Sequence, residues 1–442
     1  MNELQKFANK LQNILEQGEI NIDRARQIVL ELNNFLYATS ADLGMTTALG
    51  QQLQYFSQFH KYWEKHHREI LNCKIDDKKC EEVADALHVV YVTTKGKAFK
   101  DIYDTCNLTK EQVCQVRMLT ANQDFRGSRS FADLAAKYQA DPAIFDINNI
   151  IEDPREYLKS LGFTSLSQND KRESYAQNIA HFIKDKNCTP FDILQVFHNN
   201  VYDVRTALIN CVGAGYGNKK ADMFIRDMVV LGIWNNVIDF DKINVASDVN
   251  TIKVALRTGI IKTEIPLVSS FLDIFCHQYA YIDDMNALAW RRVWEIWSQK
   301  YPNEKLSSPC LIDYFVYKVV GIQFCKETLN IFQCDKYKHI FPWHTGQNRT
   351  CQICYNESKT RNFAHVIEKL MPCSSQQGSV AILNTAYVRA LPEKEKIQQC
   401  PFANICGNKR NLMPPKSISI FGQTGWQTAY AGINQGGGGL MA

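Results

Sequence analysis

The chain has 442 residues, 45% of them hydrophobic and 22% charged, which suits two or three domains with a real core and excludes a disordered chain. Its net charge of +4 is mildly basic: compatible with nucleic acid, but not the clustered footprint that would require it. No run of 18 apolar residues and no basic-then-apolar opening occur, so the expectation is a cytoplasmic protein, off the membrane and monomeric, whose 15 cysteines stay reduced.

Residues 1–110 read as amphipathic helices. In "IDRARQIVLELNNFLY" the residues Ile22, Ala25, Ile28, Val29, Leu32 and Leu36 form one stripe. The aromatic run "QYFSQFHKYWEKHHREI" places Tyr55, Phe59 and Trp63 at four-residue spacing, a core pattern, and its histidines read as surface residues. Residues 111–300 continue as helices split by short turns: "SFADLAAKYQ", "DPREYLKSLGF", "ESYAQNIAHFIKD" and "DVRTALINCVG" each carry a helical stripe. Beyond residue 300 the character changes. Cysteines stand at 310, 325, 334, 351, 354, 373, 400 and 406, and helical periodicity persists only in "LIDYFVYKVVGIQF" and "RNFAHVIEKL". The Gly-rich end "GINQGGGGLMA" reads as a disordered tail.

The middle of the chain holds "CVGAGYGNKKADMFIRDM". Gly215 and Gly217 permit a tight reversal between two helices, and Asn218 is a good residue type to cap the second. The free N–H groups and the positive dipole end of that second helix suit a phosphate. An ordinary helix–helix turn is the plain alternative.

Four ordered segments resemble the helix-hairpin-helix DNA glycosylase superfamily, the group of endonuclease III and the 8-oxoguanine glycosylases. They are "MLTANQDFRGSRSFADLAAKY", "YLKSLGFTSLSQNDKRESYAQNIAHFI", the hairpin "GYGNKKA" and "NVASDVNTIKVALRTG", over about residues 112–260. The resemblance implies a mainly α chain: a two-lobed helical glycosylase core over 111–300, an extra N-terminal helical region over 1–110 and a Cys-rich C-terminal region over 301–442. It places Lys219 in the position of the nucleophile that forms a Schiff base. Asp248, 29 residues later, takes the place of the carboxylate that stabilises an oxocarbenium-like transition state. Gly215, Gly217, Asn218 and Lys220 would meet DNA phosphate, Lys220 otherwise being solvated. Asn122 or Gln123 would fill the hole left by a flipped base, or simply cap a helix. Arg126 and Arg129 would meet the DNA backbone. Met223 would face the base pocket or the core.

The chain departs from the family pattern at Ser247, at Asn250 and at Ala214, where the hairpin usually has proline. The pairs Cys351/Cys354 and Cys400/Cys406 have spacings that suit a shared metal, zinc ahead of a 4Fe–4S cluster, although the family's contiguous cluster loop is absent.

The implied activity is removal of a modified base from double-stranded DNA, with strand scission at the abasic site if the lysine acts. The target would be an oxidised purine or a hypermodified base, such as a glucosylated one in phage DNA met in antiviral defence. A non-catalytic hairpin module that binds DNA and carries a structural metal is the second expectation. An RNA-directed enzyme is the third.

Overall fold

A computed structural model describes residues 21–38, 56–125, 128–166, 168–264, 279–324 and 400–406, with isolated positions before residue 21 and short strands between 331 and 421. Helices dominate, as the three- and four-residue spacing of apolar side chains dictates. In chain order they begin with α1 (Ile22–Ala38), α2 (Phe56–Leu71), strand β1 (Lys74–Ile75), α3 (Asp77–Thr94), α4 (Lys110–Thr120) and α5 (Phe131–Ala140). Next come α6 (Ile147–Glu152), α7 (Pro154–Ser160), α8 (Asn169–Asp185), α9 (Ile193–Val196), α10 (Val201–Asn210), α11 (Asn218–Val230) and α12 (Val249–Thr258). Strand β2 (Ile261–Lys262), α13 (Tyr279–Lys300) and α14 (Cys310–Tyr314) follow, and α14 runs into a π-helix over Phe315–Phe324.

Two of the expected helices take another form. "LIDYFVYKVVGIQF" becomes α14 and the π-helix rather than one α-helix. "RNFAHVIEKL" contributes strand β5 (His365–Lys369), because its Val-Ile centre pairs antiparallel with a second apolar strand. The C-terminal region therefore holds sheet as well as cysteines. Strands β3 (Ile331–Gln333), β4 (Ile340–Pro342), β6 (Ser379–Thr385), β7 (Tyr387–Val388) and β8 (Ile418–Phe421) complete two three-stranded antiparallel sheets, ordered β4-β3-β7 and β5-β6-β8.

The chain divides into two units, each discontinuous in sequence. One comprises residues 1–79, 252–286 and 320–442; the other comprises 80–251 and 287–319. The region boundaries expected near residues 110 and 300 both fall inside the second unit.

In the first unit α1 packs on α2, with Ala25, Ile28 and Val29 of the expected stripe fully buried. Arg26 donates to the carbonyls of Glu69 and Ile70, closing the C-terminal end of α2. Strand β1 pairs with β2 at Lys74↔Lys262 and Ile75↔Ile261. His66 stacks on Tyr62, consistent with a half-exposed surface histidine. The side chains of Leu32, Leu36, Tyr55, Phe59 and Trp63 lie outside the described residues, as do Arg126, Cys351, Cys354 and the Gly-rich tail.

The second unit is built around α4. Thr109 and Gln112 form a reciprocal capping box at its start. Val113, Cys114, Val116, Met118 and Leu119 are buried, and so are the polar Arg117 and Thr120. Helices α5, α8 and α11 pack against α4. The turn between α7 and α8 depends on Gly162, at φ +77°, where a side chain would be strained. Asp146, Asp153 and Asn200 cap α6, α7 and α10, so the short helices of this unit start where their sequences say they should.

Candidate functional site

Helix α10 ends at Asn210, and the chain reverses through residues 211–217 into α11. Gly213 and Gly215 sit at φ +78° and +74°, the left-handed region. At Gly215 a Cβ would also run into the ring of Tyr175 on α8, so this position needs glycine twice over. Gly217 differs. Its φ of −108° suits any residue, and a Cβ there would meet open space.

Gly217 is the N-cap of α11, and it has no side chain to close the helix. Asn218, expected as the cap, is instead the first helical residue. Its amide oxygen accepts a 3.0 Å bond from Arg205, which also binds the buried Asp222. The first-turn N–H groups of α11 therefore have no side-chain cap, and the positive dipole end faces outward beside exposed Gly217, Asn218 and Lys219.

The two lysines differ sharply. Lys219 is exposed. Lys220 is half-buried, and the expectation of a solvated lysine does not hold for it. Its ammonium donates to the carbonyl of Asn122 at 2.6 Å, and lies 4.7 Å from the ring centre of Phe125 and 5.6 Å from that of Tyr175. Burial lowers its pKa to about 8; Asp124 opposes that shift, while the positive charges of Lys219 and Arg172 add to it.

Asn122 and Gln123 sit in a 3₁₀ turn after α4 and are fully buried. The Asn122 amide donates to the carbonyls of Tyr175 at 3.0 Å and Ala214 at 2.9 Å; that of Gln123 donates to Arg172 at 3.2 Å. Neither side chain projects outward to enter a duplex, and neither caps a helix. They stitch this turn to α8 and the hairpin. Arg129 is likewise engaged, donating to the carbonyl of Gly162 and, at 2.7 Å, to the hydroxyl of Ser165.

Asp124, next in the chain, closes the "LTANQD" segment. Its carboxyl is held above the usual carboxylate range, because burial outweighs the attraction of Arg117, Lys220 and Lys219. Arg117 lies 3.7 Å from it and 3.3 Å from Asp227. Asp227 also accepts from Arg226 at 2.6 Å and from the Tyr103 hydroxyl at 3.0 Å, and Arg226 pairs with Asp313. Charges thus alternate from Asp313 through Arg226, Asp227 and Arg117 to Asp124, and the last of them borders the lysine pair. The only sequence signal was an acidic residue two positions after Asn122; its partners lie on distant elements.

Asp248 caps α12. Its Oδ1 accepts the Thr251 amide at 2.7 Å, its own amide donates to the Thr251 hydroxyl at 2.9 Å, and Asn250 donates to Oδ2 at 3.3 Å. Tyr317, on the π-helix, has its phenol held above the ordinary range by burial and then by the negative charge of Asp248, with Asp124 adding to it. A π-helical stretch is rare and recurs at functional sites. Met223, one turn after Lys219 on α11, is half-buried.

Comparison with family models, with curated proteins and with solved structures finds no match to this chain. Cys400 and Cys406 bracket a short helical turn, α15 (Ala403–Cys406), and Cys406 is buried. Cys351 and Cys354, the other two cysteines of the expected metal site, lie outside the described residues. Among the described residues no cluster of three or more His, Cys, Asp or Glu is arranged to hold one. No described helix is long and apolar enough to cross a membrane.

Proposed function

We propose that the unit carrying the hairpin is a DNA N-glycosylase acting on a modified base in double-stranded DNA. The observation that carries this reading is the uncapped start of α11. Free N–H groups, exposed Lys219 and half-buried Lys220 occupy one helical turn, and Lys220 reaches onto the 121–125 turn that contains Asp124. An uncapped helix start with a lysine suits a DNA phosphate. A carboxylate near C1′ stabilises the positive charge that develops as the glycosidic bond breaks, and Asp248 is the candidate. The base must be flipped out first. Because Asn122 and Gln123 are interior, the group that replaces it comes from elsewhere in the unit. The lysine pair offers an amine for Schiff-base chemistry at the resulting abasic site, and the motif position gives that role to Lys219.

The test is incubation with duplexes carrying single modified bases, including 8-oxoguanine and glucosylated cytosine, followed by alkali and strand analysis. Alkali-labile breaks in one modified duplex, lost in Asp248→Asn, are the expected result. Tight binding to duplex DNA without base release from any member would favour the second reading, a DNA-binding hairpin without chemistry. One observation leans that way: both Asp248 oxygens already accept hydrogen bonds from α12.

A further inference from the structure

Lys219 and Lys220 are consecutive residues of one helix, so their side chains leave the axis about 100° apart. One reaches solvent, and the other is folded onto the 121–125 turn. An amine attacks carbon only when it is neutral, and burial favours the neutral form of a lysine. The Lys220 amine is stripped of part of its water by the rings of Phe125 and Tyr175. The charges that face it are Asp124 from the turn, Lys219 from its own helix and Arg172 from α8. Its bond to the Asn122 carbonyl uses one N–H and leaves a lone pair for an electrophile.

We propose that Lys220, not Lys219, is the reactive amine of the hairpin, that Asp124 is its proton partner, and that the amine condenses with the aldehyde carbon of an abasic deoxyribose. The choice of sugar rests on the glycosylase reading; the choice of amine does not.

The step begins as the Lys220 ammonium passes its proton to the Asp124 carboxylate, which leaves a neutral amine and a protonated acid. The Nζ lone pair bonds to C1′ while the carbonyl pair moves onto oxygen. Asp124 gives its proton to that oxygen, then takes one from the new ammonium, leaving a carbinolamine. A second transfer from Asp124 lets the hydroxyl leave as water while the nitrogen lone pair forms the C1′=N bond. The products are an iminium, one water and an Asp124 carboxylate. The two groups suit this exchange because burial moves their proton affinities toward each other, the amine down to about 8 and the carboxyl up. Arg117, fixed through Asp227 and Arg226, holds Asp124 in place. Lys219 then has two duties: it meets phosphate, and its charge keeps the proton affinity of Lys220 low.

The test has two arms on the full chain. In the first, glycolaldehyde and borohydride label the protein across a pH series, and peptide mass mapping locates the modified lysines. Lys220 is expected to label ahead of Lys219, with a midpoint near pH 8. Lys219→Gln should raise that midpoint by removing a like charge, and Asp124→Asn should lower it by removing an opposite one. Equal labelling of both lysines, with an ordinary lysine profile, overturns the proposal. In the second arm, an abasic duplex is trapped with borohydride. The adduct is expected on Lys220, persisting at a reduced level in Lys219→Gln and lost in Lys220→Arg, which keeps the cation over the rings but cannot condense. An adduct on Lys219 overturns the proposal. Selective labelling of Lys220 by the small aldehyde, with no adduct to DNA, upholds the amine and removes the glycosylase reading instead.

Discussion

Helices α11 and α12 begin in opposite ways. At α11 the cap is Gly217, with no side chain, and the first-turn N–H groups stand open beside two lysines. At α12 the cap is Asp248, whose carboxylate and amide exchange bonds with Thr251. Both arrangements obey the same rule, that the first N–H groups of a helix need a partner. One helix supplies its own acceptor, and the other leaves the place for an acceptor from outside. The contrast separates the two duties of the proposed site: the α11 start would receive an anion, and α12 holds a carboxylate in hydrogen bonds to Thr251 and Asn250.

Substitutions at four positions break or sharpen that contrast, taken from the largest effect to the smallest. Asp227→Ala breaks it by loosening α11 itself. It strands Arg117 and Arg226 without their shared carboxylate in the core, an expected cost of about 3–5 kcal/mol in urea unfolding. An unchanged midpoint would mean the alternating charges do not hold α11. Gly215→Ala attacks the hairpin at its tightest point. The left-handed backbone and the collision with Tyr175 together should cost about 2 kcal/mol or more, read in the same way.

Asp248 can be divided between its two roles. Asp248→Ala should cost about 1 kcal/mol as a lost cap. Asp248→Asn, an equally good cap, should keep the unfolding midpoint while base release slows. Equal loss of stability in both variants would break the assignment.

The subtlest change is Gly217→Ser, which gives α11 the cap it lacks. The backbone already suits it and the space is open, so stability should rise by a few tenths of a kcal/mol, roughly. Duplex affinity, measured by fluorescence anisotropy, should fall, because the serine oxygen competes with phosphate. Stability and binding moving in the same direction would argue that the open start has no ligand.

The helices of the second unit were legible because their signals are local. The stripes of "SFADLAAKYQ" and "ESYAQNIAHFIKD" and the glycine turn before Lys219 are each written within a few residues. The hairpin glycines were legible too, although of Gly215 and Gly217 only the first is required by backbone and packing. The polar interior was not. Nothing near Asp124 in the sequence announces Arg117 and Lys220, and the alternating charges join residues from 117 to 313. The motif gives the two lysines different roles, but nothing in it places Lys220 against the rings of Phe125 and Tyr175. "RNFAHVIEKL" misled because a short apolar run fits either period, and pairing with a distant strand decided it.

The alternating charges also set how the molecule answers to ionic strength. Mobile ions screen charges that water separates over about 8 Å at physiological salt, but they do not enter a dry interior. Phosphate binding at the α11 start should weaken steeply as salt rises, whereas Asp313, Arg226, Asp227 and Arg117 are buried and should keep their arrangement. If the proposed duplex binding holds, a salt titration should therefore release the nucleic acid while leaving the buried charges in place, so that grip and architecture can be measured one at a time.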